Sequence, residues 1–347
     1  MSFIKLLAFS SVAATFSGAY AALTRRVACS DGVNTASDEA CCSWFAVRDD
    51  LQENLFSSEC GQEVRESLRL TFHDGIAFSP TLGGGGADGS IITFADTELT
   101  YAANGGSGGV EDIVDLMTPF VSKWNVTPGD LIYFAGAVGT SNCPGAPRLQ
   151  FFTGRANPVA AAPDNLVSQP GDSVDTILAR FADAGFSSDE VIALLASHSL
   201  AATDALTSGA IGDPFDSTPR VFDSQFFVET RLTNAVDGEV RLPSDGLLAR
   251  DDRTSCTWQS FIDDQDGMRS AFAAVMTKLS LVNQPSDLID CSEVIPEPPA
   301  APSGSGAAPY FPGTSTLSDV DAACTATAFP TLTQNAAVTS LAPVNGD

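Results

Sequence analysis

Gln62, Glu66, Arg69 and His73 follow one another at spacings of four, three and four residues. On a helix they share one face, and the opposite face is apolar. A guanidinium and an imidazole one turn apart are poor core material unless something polar faces them. By type and spacing alone, a solvated helix face is the more ordinary outcome.

His198 has a different setting. Val191, Leu194, Leu195 and His198 form an apolar stripe, and a histidine there is most often a satisfied core residue. The alternative is an axial ligand to a flat, largely apolar cofactor. Haem needs one side-chain ligand, an apolar slot, and polar groups on its open side if it is to activate oxygen species. Two helices giving one histidine each would make that sandwich. The chain has only these two histidines, which leaves little room for zinc or a multi-histidine copper site. A Ser-His-Asp hydrolase would have to use Ser197 or Ser199 beside His198, but no nucleophile elbow is present.

The elements that must position these residues read as mostly α. Apolar residues recur at helical spacing over Asp38–Phe56, Gln62–Asp74, Val110–Trp124, Gly129–Gly139, Val174–Ala184, Ser188–Leu200, Ser224–Thr233 and Met268–Leu281. Ser187 and Glu190 supply a capping box. Strand signals are few and short, and Gly- and Pro-rich loops separate the helices.

Composition narrows the function. Lys and Arg number 17 against 43 Asp and Glu, a net charge of −26. Such a surface repels phosphate backbones and anionic membranes, so neither nucleic acid nor membrane is an expected partner. Residues 1–26 read as a secretory signal with a short pro-segment: Lys5, an apolar run to Phe16, Ala19-Tyr20-Ala21, then Arg25-Arg26. A secreted, extracellular protein starting at Val27 is expected, with its body over 27–295. Residues 296–347 form an extended, irregular tail rich in Pro, Ala, Ser, Thr and Gly, tied to the body by Cys324. Eight cysteines in that compartment imply four disulfides, and sequence alone leaves 105 pairings open. Asn125-Val126-Thr127 is a glycosylation sequon.

Several segments together are similar to a known family. Arg69-Leu70-Thr71-Phe72-His73-Asp74 and Leu195-Ala196-Ser197-His198-Ser199 resemble the distal and proximal motifs of the secreted fungal class II haem peroxidases. Gly83 to Ser90, Ser141 to Gly145, Phe152 to Arg155, Asp216 to Pro219 and Cys256 to Ser260 add matches, in order from about Cys29 to Cys324. The resemblance implies the plant and fungal peroxidase fold, one haem b between a distal and a proximal helix, two Ca²⁺ ions, and hydrogen peroxide as oxidant.

It also implies residue roles. His73 would take a proton from peroxide and return it to the leaving oxygen, and Arg69 would stabilise the developing charge. Asn104, with Glu98 behind it, would orient His73, and Phe72 would pack over the haem. His198 would bind the iron, with Asp245 accepting its second N–H and Phe215 packing beside it. One calcium would use Asp74, Asp88, Ser90 and the Gly86 backbone. The other would use Ser199, Asp216, Thr218, Asp223 and the Val221 backbone. Implied bridges are Cys29–Cys42, Cys41–Cys291, Cys60–Cys143 and Cys256–Cys324.

Family members differ in electron donor. A surface tryptophan five residues before the proximal histidine serves bulky aromatics, and here Ala193 stands there. Mn²⁺ is oxidised at three carboxylates, and the matching positions are Gln62, Glu66 and Asp204. The amide contributes no charge, so a weakened manganese site is expected. Small phenols at the haem edge need no dedicated ligand. The expectation is therefore a monomeric peroxidase of Mn²⁺, small phenols or both, resembling short or atypical manganese peroxidases. The alternatives are a generic low-potential phenol peroxidase without Mn²⁺ activity and a secreted haem-binding glycoprotein that is not an enzyme.

Overall fold

The structure is a computed structural model that describes residues 26–106, 109–203, 211–304 and 307–344. The expected signal and pro-segment lie outside the described residues up to residue 25, and so does Asp204. Arg26, the last residue of that segment, is described: it pairs with Glu293 at 2.6 Å.

The described chain is mostly helical, as the apolar spacing predicts. In order come α1 (Cys42–Asn54), α2 (Gln62–Gly75), α3 (Ser90–Thr93), α4 (Ala95–Glu98), α5 (Glu111–Trp124) and α6 (Pro128–Thr140). Then follow α7 (Val174–Asp183), α8 (Ser188–Leu194), α9 (Gln225–Glu229), α10 (Pro243–Leu248), α11 (Ser255–Asp263) and α12 (Gln265–Ser280). The only sheets among the described residues are three two-stranded pairs. No described helix is long and apolar enough to cross a membrane.

Helix α6 is buried along its whole length. Thr127 caps it and Pro128 opens it, which suits a fixed φ and a missing N–H in the first turn. Its glycines let α2 approach: a Cβ on Gly136 would stand 2.4 Å from the Thr71 methyl. Close packing on α6 therefore buries one face of α2 and turns the His73 face the other way. Ser187 and Glu190 form the expected capping box on α8.

Two expected helices differ in the structure. Ser188–Leu200 is α-helical only to Leu194 and tightens to a 3₁₀ helix over Leu195–Leu200, so His198 sits on the tighter turn. Ser224–Thr233 shortens to the five residues of α9, whose Phe226, Phe227 and Val228 are all buried and so carry no single apolar stripe. Helices α10 and α11 carry no expectation from spacing. The first has six residues and includes Gly246.

All eight cysteines pair as the resemblance implies: 29 with 42, 41 with 291, 60 with 143 and 256 with 324. The tail is held by more than Cys324. Strand β5 (Tyr310–Pro312) pairs with β6 (Thr333–Asn335) in parallel, and Tyr310 and Phe311 are buried. Farther on, the Val344 N–H donates to the Gly212 carbonyl at 2.7 Å. The Val344 carbonyl accepts from Arg65 Nη2 at 2.8 Å. The Val344 backbone thus joins the start of α2 to the loop beyond the proximal histidine.

Candidate active site

A cavity of about 270 Å³ separates His73 from His198. Phe72, Ile177, Phe181, Leu194, Leu248 and Met276 give it apolar walls. Phe72 stacks on Phe181 with ring centroids 5.8 Å apart.

On the distal side, His73 Nδ1 lies 2.9 Å from Asn104 Oδ1. Asn104 Nδ2 donates to the Glu98 backbone carbonyl at 3.1 Å, which fixes the amide orientation. The oxygen must then face His73, so Nδ1 carries the proton and Nε2 is the acceptor. Arg69 Nε donates to that Nε2 at 3.2 Å. Burial, then the Arg69 charge, push the His73 pKa down to about 3, so the ring is neutral across ordinary pH. Glu98 acts through its backbone, since its carboxylate accepts from the Ala162 N–H at 2.9 Å. The loop that brings Asn104 also brings the Gly109 carbonyl, which accepts from Arg69 Nη1 at 3.1 Å. Both distal groups are thereby locked by one connection after α4. Such a neutral imidazole beside a fixed cation can accept a proton while negative charge develops nearby.

On the proximal side, His198 Nδ1 lies 3.0 Å from Asp245 Oδ2. Asp245 is buried and its Oδ1 has no hydrogen-bond partner. An Nδ1–H donated to this carboxylate leaves Nε2 for a metal and raises its basicity. Phe215 and Phe226 flank the ring edge-on, at 5.4 and 5.5 Å. Among 22 phenylalanines, nothing in the sequence singled out Phe226. The set fits a haem: one free imidazole nitrogen, an apolar slot, and a polar distal wall.

Both calcium sets are also brought together. Asp74 accepts the Gly89 N–H and the Tyr133 hydroxyl. Burial, then the Asp88 charge, raise its pKa well above the usual range. A Cβ on Gly85 would stand 1.6 Å from Asp88 Oδ2, so only glycine leaves that carboxylate its place. Gly86 holds a φ of +69°, and Ser90 opens α3 beside Asp88. Across the cavity, the Thr218 hydroxyl donates to Asp223 at 2.9 Å and the Thr218 N–H to Asp216 at 2.7 Å. Ser199 is buried beside His198, and the Val221 N–H closes the turn onto Thr218. Asp216 Oδ2 is buried without a partner. Burial, then the Asp223 charge, raise Asp216 well above the usual range, and burial raises Asp223 to about 7. In each set a buried acid faces a second carboxylate, and such a pair asks for a cation. Among the described residues no three His, Cys, Asp or Glu side chains converge closely enough to hold a metal ion by themselves. The remaining oxygens of each set come from hydroxyls and backbone, as hard-cation sites permit.

At the rim, Gln62 Nε2 donates to Glu66 Oε1 at 2.8 Å. Asn125, in the sequon, is exposed at the end of α5 with a φ of +50°. Ala193 is buried.

The Peroxidase family model matches residues 47–264, and the Fungal peroxidase extension region matches residues 267–346. A manganese peroxidase of Phlebia radiata is 50% identical over 99% of this chain and 99% of its own length. A ligninase of Phanerodontia chrysosporium is 48% identical over 96% and 95%. A versatile peroxidase of Pleurotus eryngii is 47% identical over 99% of both.

Proposed function

The chain belongs to the fungal class II peroxidases, and on that premise we propose that it oxidises small phenols at the haem edge and Mn²⁺ at a weakened rim site. It is a hydrogen-peroxide-dependent oxidoreductase of the lignin-degrading group. Its cofactors are haem and calcium.

Haem, when bound, supplies the iron chemistry that accepts oxidising equivalents from peroxide. The chain's own part is proton handling and positioning. His73 Nε2 takes the proton from the near oxygen of peroxide and delivers it to the departing oxygen, which leaves as water. Arg69 holds its charge against the developing anion because the Gly109 carbonyl fixes its far end. Asn104 keeps His73 in the tautomer that can accept. Asp245 orients His198 and strengthens it as the iron ligand. The two calcium loops pin the residues that follow the two histidines, Asp74 and Ser199. Processing after Arg26 and secretion are part of the same reading, supported by the four disulfides.

The Gln62–Glu66 hydrogen bond carries the assignment of donor preference. An amide N–H occupies a carboxylate oxygen that a manganese ion would need, so Mn²⁺ must displace it. Steady-state kinetics with Mn²⁺ and with a simple phenol test this. Phenol turnover should exceed Mn²⁺ turnover, and Glu66→Ala should lower the ratio of Mn²⁺ to phenol kcat/KM by about tenfold or more. If Glu66→Ala leaves that ratio unchanged, the manganese site is wrong.

A further inference from the structure

Gln62 lies at the start of α2, three residues before Arg65 and four before Glu66. Both spacings make helix-surface neighbours. Its amide is used in both directions. Nε2 donates to Glu66 at 2.8 Å, and Oε1 faces Arg65 Nη2 at 3.4 Å. A flipped amide would set two donors against each other at Arg65 and two acceptors at Glu66, so this orientation follows from the charges.

Arg65 cannot swing away easily. It is 9% exposed, and Nη2 also donates to the Val344 carbonyl at 2.8 Å. The guanidinium is held at the rim by the Val344 carbonyl.

We propose that Arg65 is a specificity-determining residue that weakens divalent-cation binding at the Gln62–Glu66 rim, independently of the missing acid at position 62. This rests on reading the rim as a weakened manganese site. An acid placed at 62 would find a fixed guanidinium at i+3 and a like charge at i+4. It would pair with Arg65 and turn from Glu66, so a divalent cation would have to break that pair. Restoring the acid alone therefore restores little binding. Removing the cation as well frees two carboxylates to converge.

The experiment is a double-mutant cycle on the haem-loaded enzyme, read by Mn²⁺ binding to the resting protein and by Mn²⁺ KM. Arg65→Gln removes the charge and keeps a polar N–H, but its shorter side chain gives up the Val344 contact that Nη2 makes at 2.8 Å. Arg65→Met is a second uncharged form. Gln62→Glu alone should tighten Mn²⁺ binding a few-fold. Gln62→Glu with Arg65→Gln should tighten it about tenfold beyond the product of the single changes. Gln62→Glu with Arg65→Lys, which keeps the charge, should show no such excess. If the effects of Gln62→Glu and Arg65→Gln simply multiply, or the lysine form gains equally, the role given to Arg65 is overturned. Adding Glu66→Ala to the tight double variant separates the two readings. Lost binding upholds the site whatever Arg65 does, and unchanged binding overturns the site itself.

Discussion

The two sides of the cavity solve the same problem differently. The distal side draws most of its side chains from one helix: Gln62, Glu66, Arg69, Phe72, His73 and Asp74 lie on α2, and one connection adds Asn104 and the Gly109 carbonyl. The proximal side is assembled from distant pieces. His198 is on a 3₁₀ turn, its carboxylate partner is 47 residues away, and Phe215 and Phe226 arrive from two further segments. The chemistry differs in the same way. His73 has both nitrogens engaged and is held neutral, a group set to move a proton. His198 has one nitrogen fixed and the other facing the cavity, a group set to bind a metal. Helical periodicity lines up the face that carries Arg69 and His73, but each histidine takes the partner that fixes its proton from a distant segment.

The largest break in this comparison comes from removing the proton acceptor. His73→Leu should slow the reaction with peroxide by about 10²–10⁴-fold while leaving the haem bound, since only general acid–base help is lost. Stopped-flow mixing with peroxide measures it, and a loss of under tenfold would mean that another group does this work.

Next in size is the proximal partner. Asp245→Asn keeps the shape and removes the charge that polarises His198. Haem affinity or peroxidase activity should fall about 10–100-fold, and the ferric spectrum should change. An unchanged spectrum and activity would show that the carboxylate only fills space.

The smallest effect concerns acid stability and sharpens the contrast. An unfolded imidazole titrates near 6.5, and burial beside Arg69 holds His73 down to about 3. Between those values the unfolded chain binds the extra proton, so this group's contribution falls as pH drops from about 6.5 toward 3. The denaturation midpoint of His73→Leu should therefore fall less steeply across that window than that of the native chain. Parallel curves would place the acid sensitivity elsewhere.

Much of the distal side was legible because α2 shows its period directly. Arg69, His73 and Glu66 needed only the 3.6-residue repeat to share a face. Asp245 and Asn104 came only through motif resemblance. Nothing local marks either residue as the partner of a histidine, because the pairing is made by loop closure. Phe226 and the Gly109 carbonyl were not legible at all: one is a phenylalanine among many, the other a backbone group. Arg65 carried no signal in the sequence, and its restraint by Val344 could not be read there, since the two are 279 residues apart. The end of His198's helix also escaped the pattern, because α and 3₁₀ turns accept the same apolar residues.

The sequence by itself determined the helical character of the chain, the shared face of Gln62, Glu66, Arg69 and His73, and the scarcity of histidine that assigns one to each side of the cavity. These follow from residue type and local spacing, which a linear chain carries intact. Tertiary structure decided which nitrogen of each histidine carries the proton, which acids face one another across a loop, and that Arg65 beside Gln62 is pinned by Val344. The two histidine partners and the restraint on Arg65 come from 31 to 279 residues away. Hydrogen-bond direction and burial exist only once the chain has closed on itself.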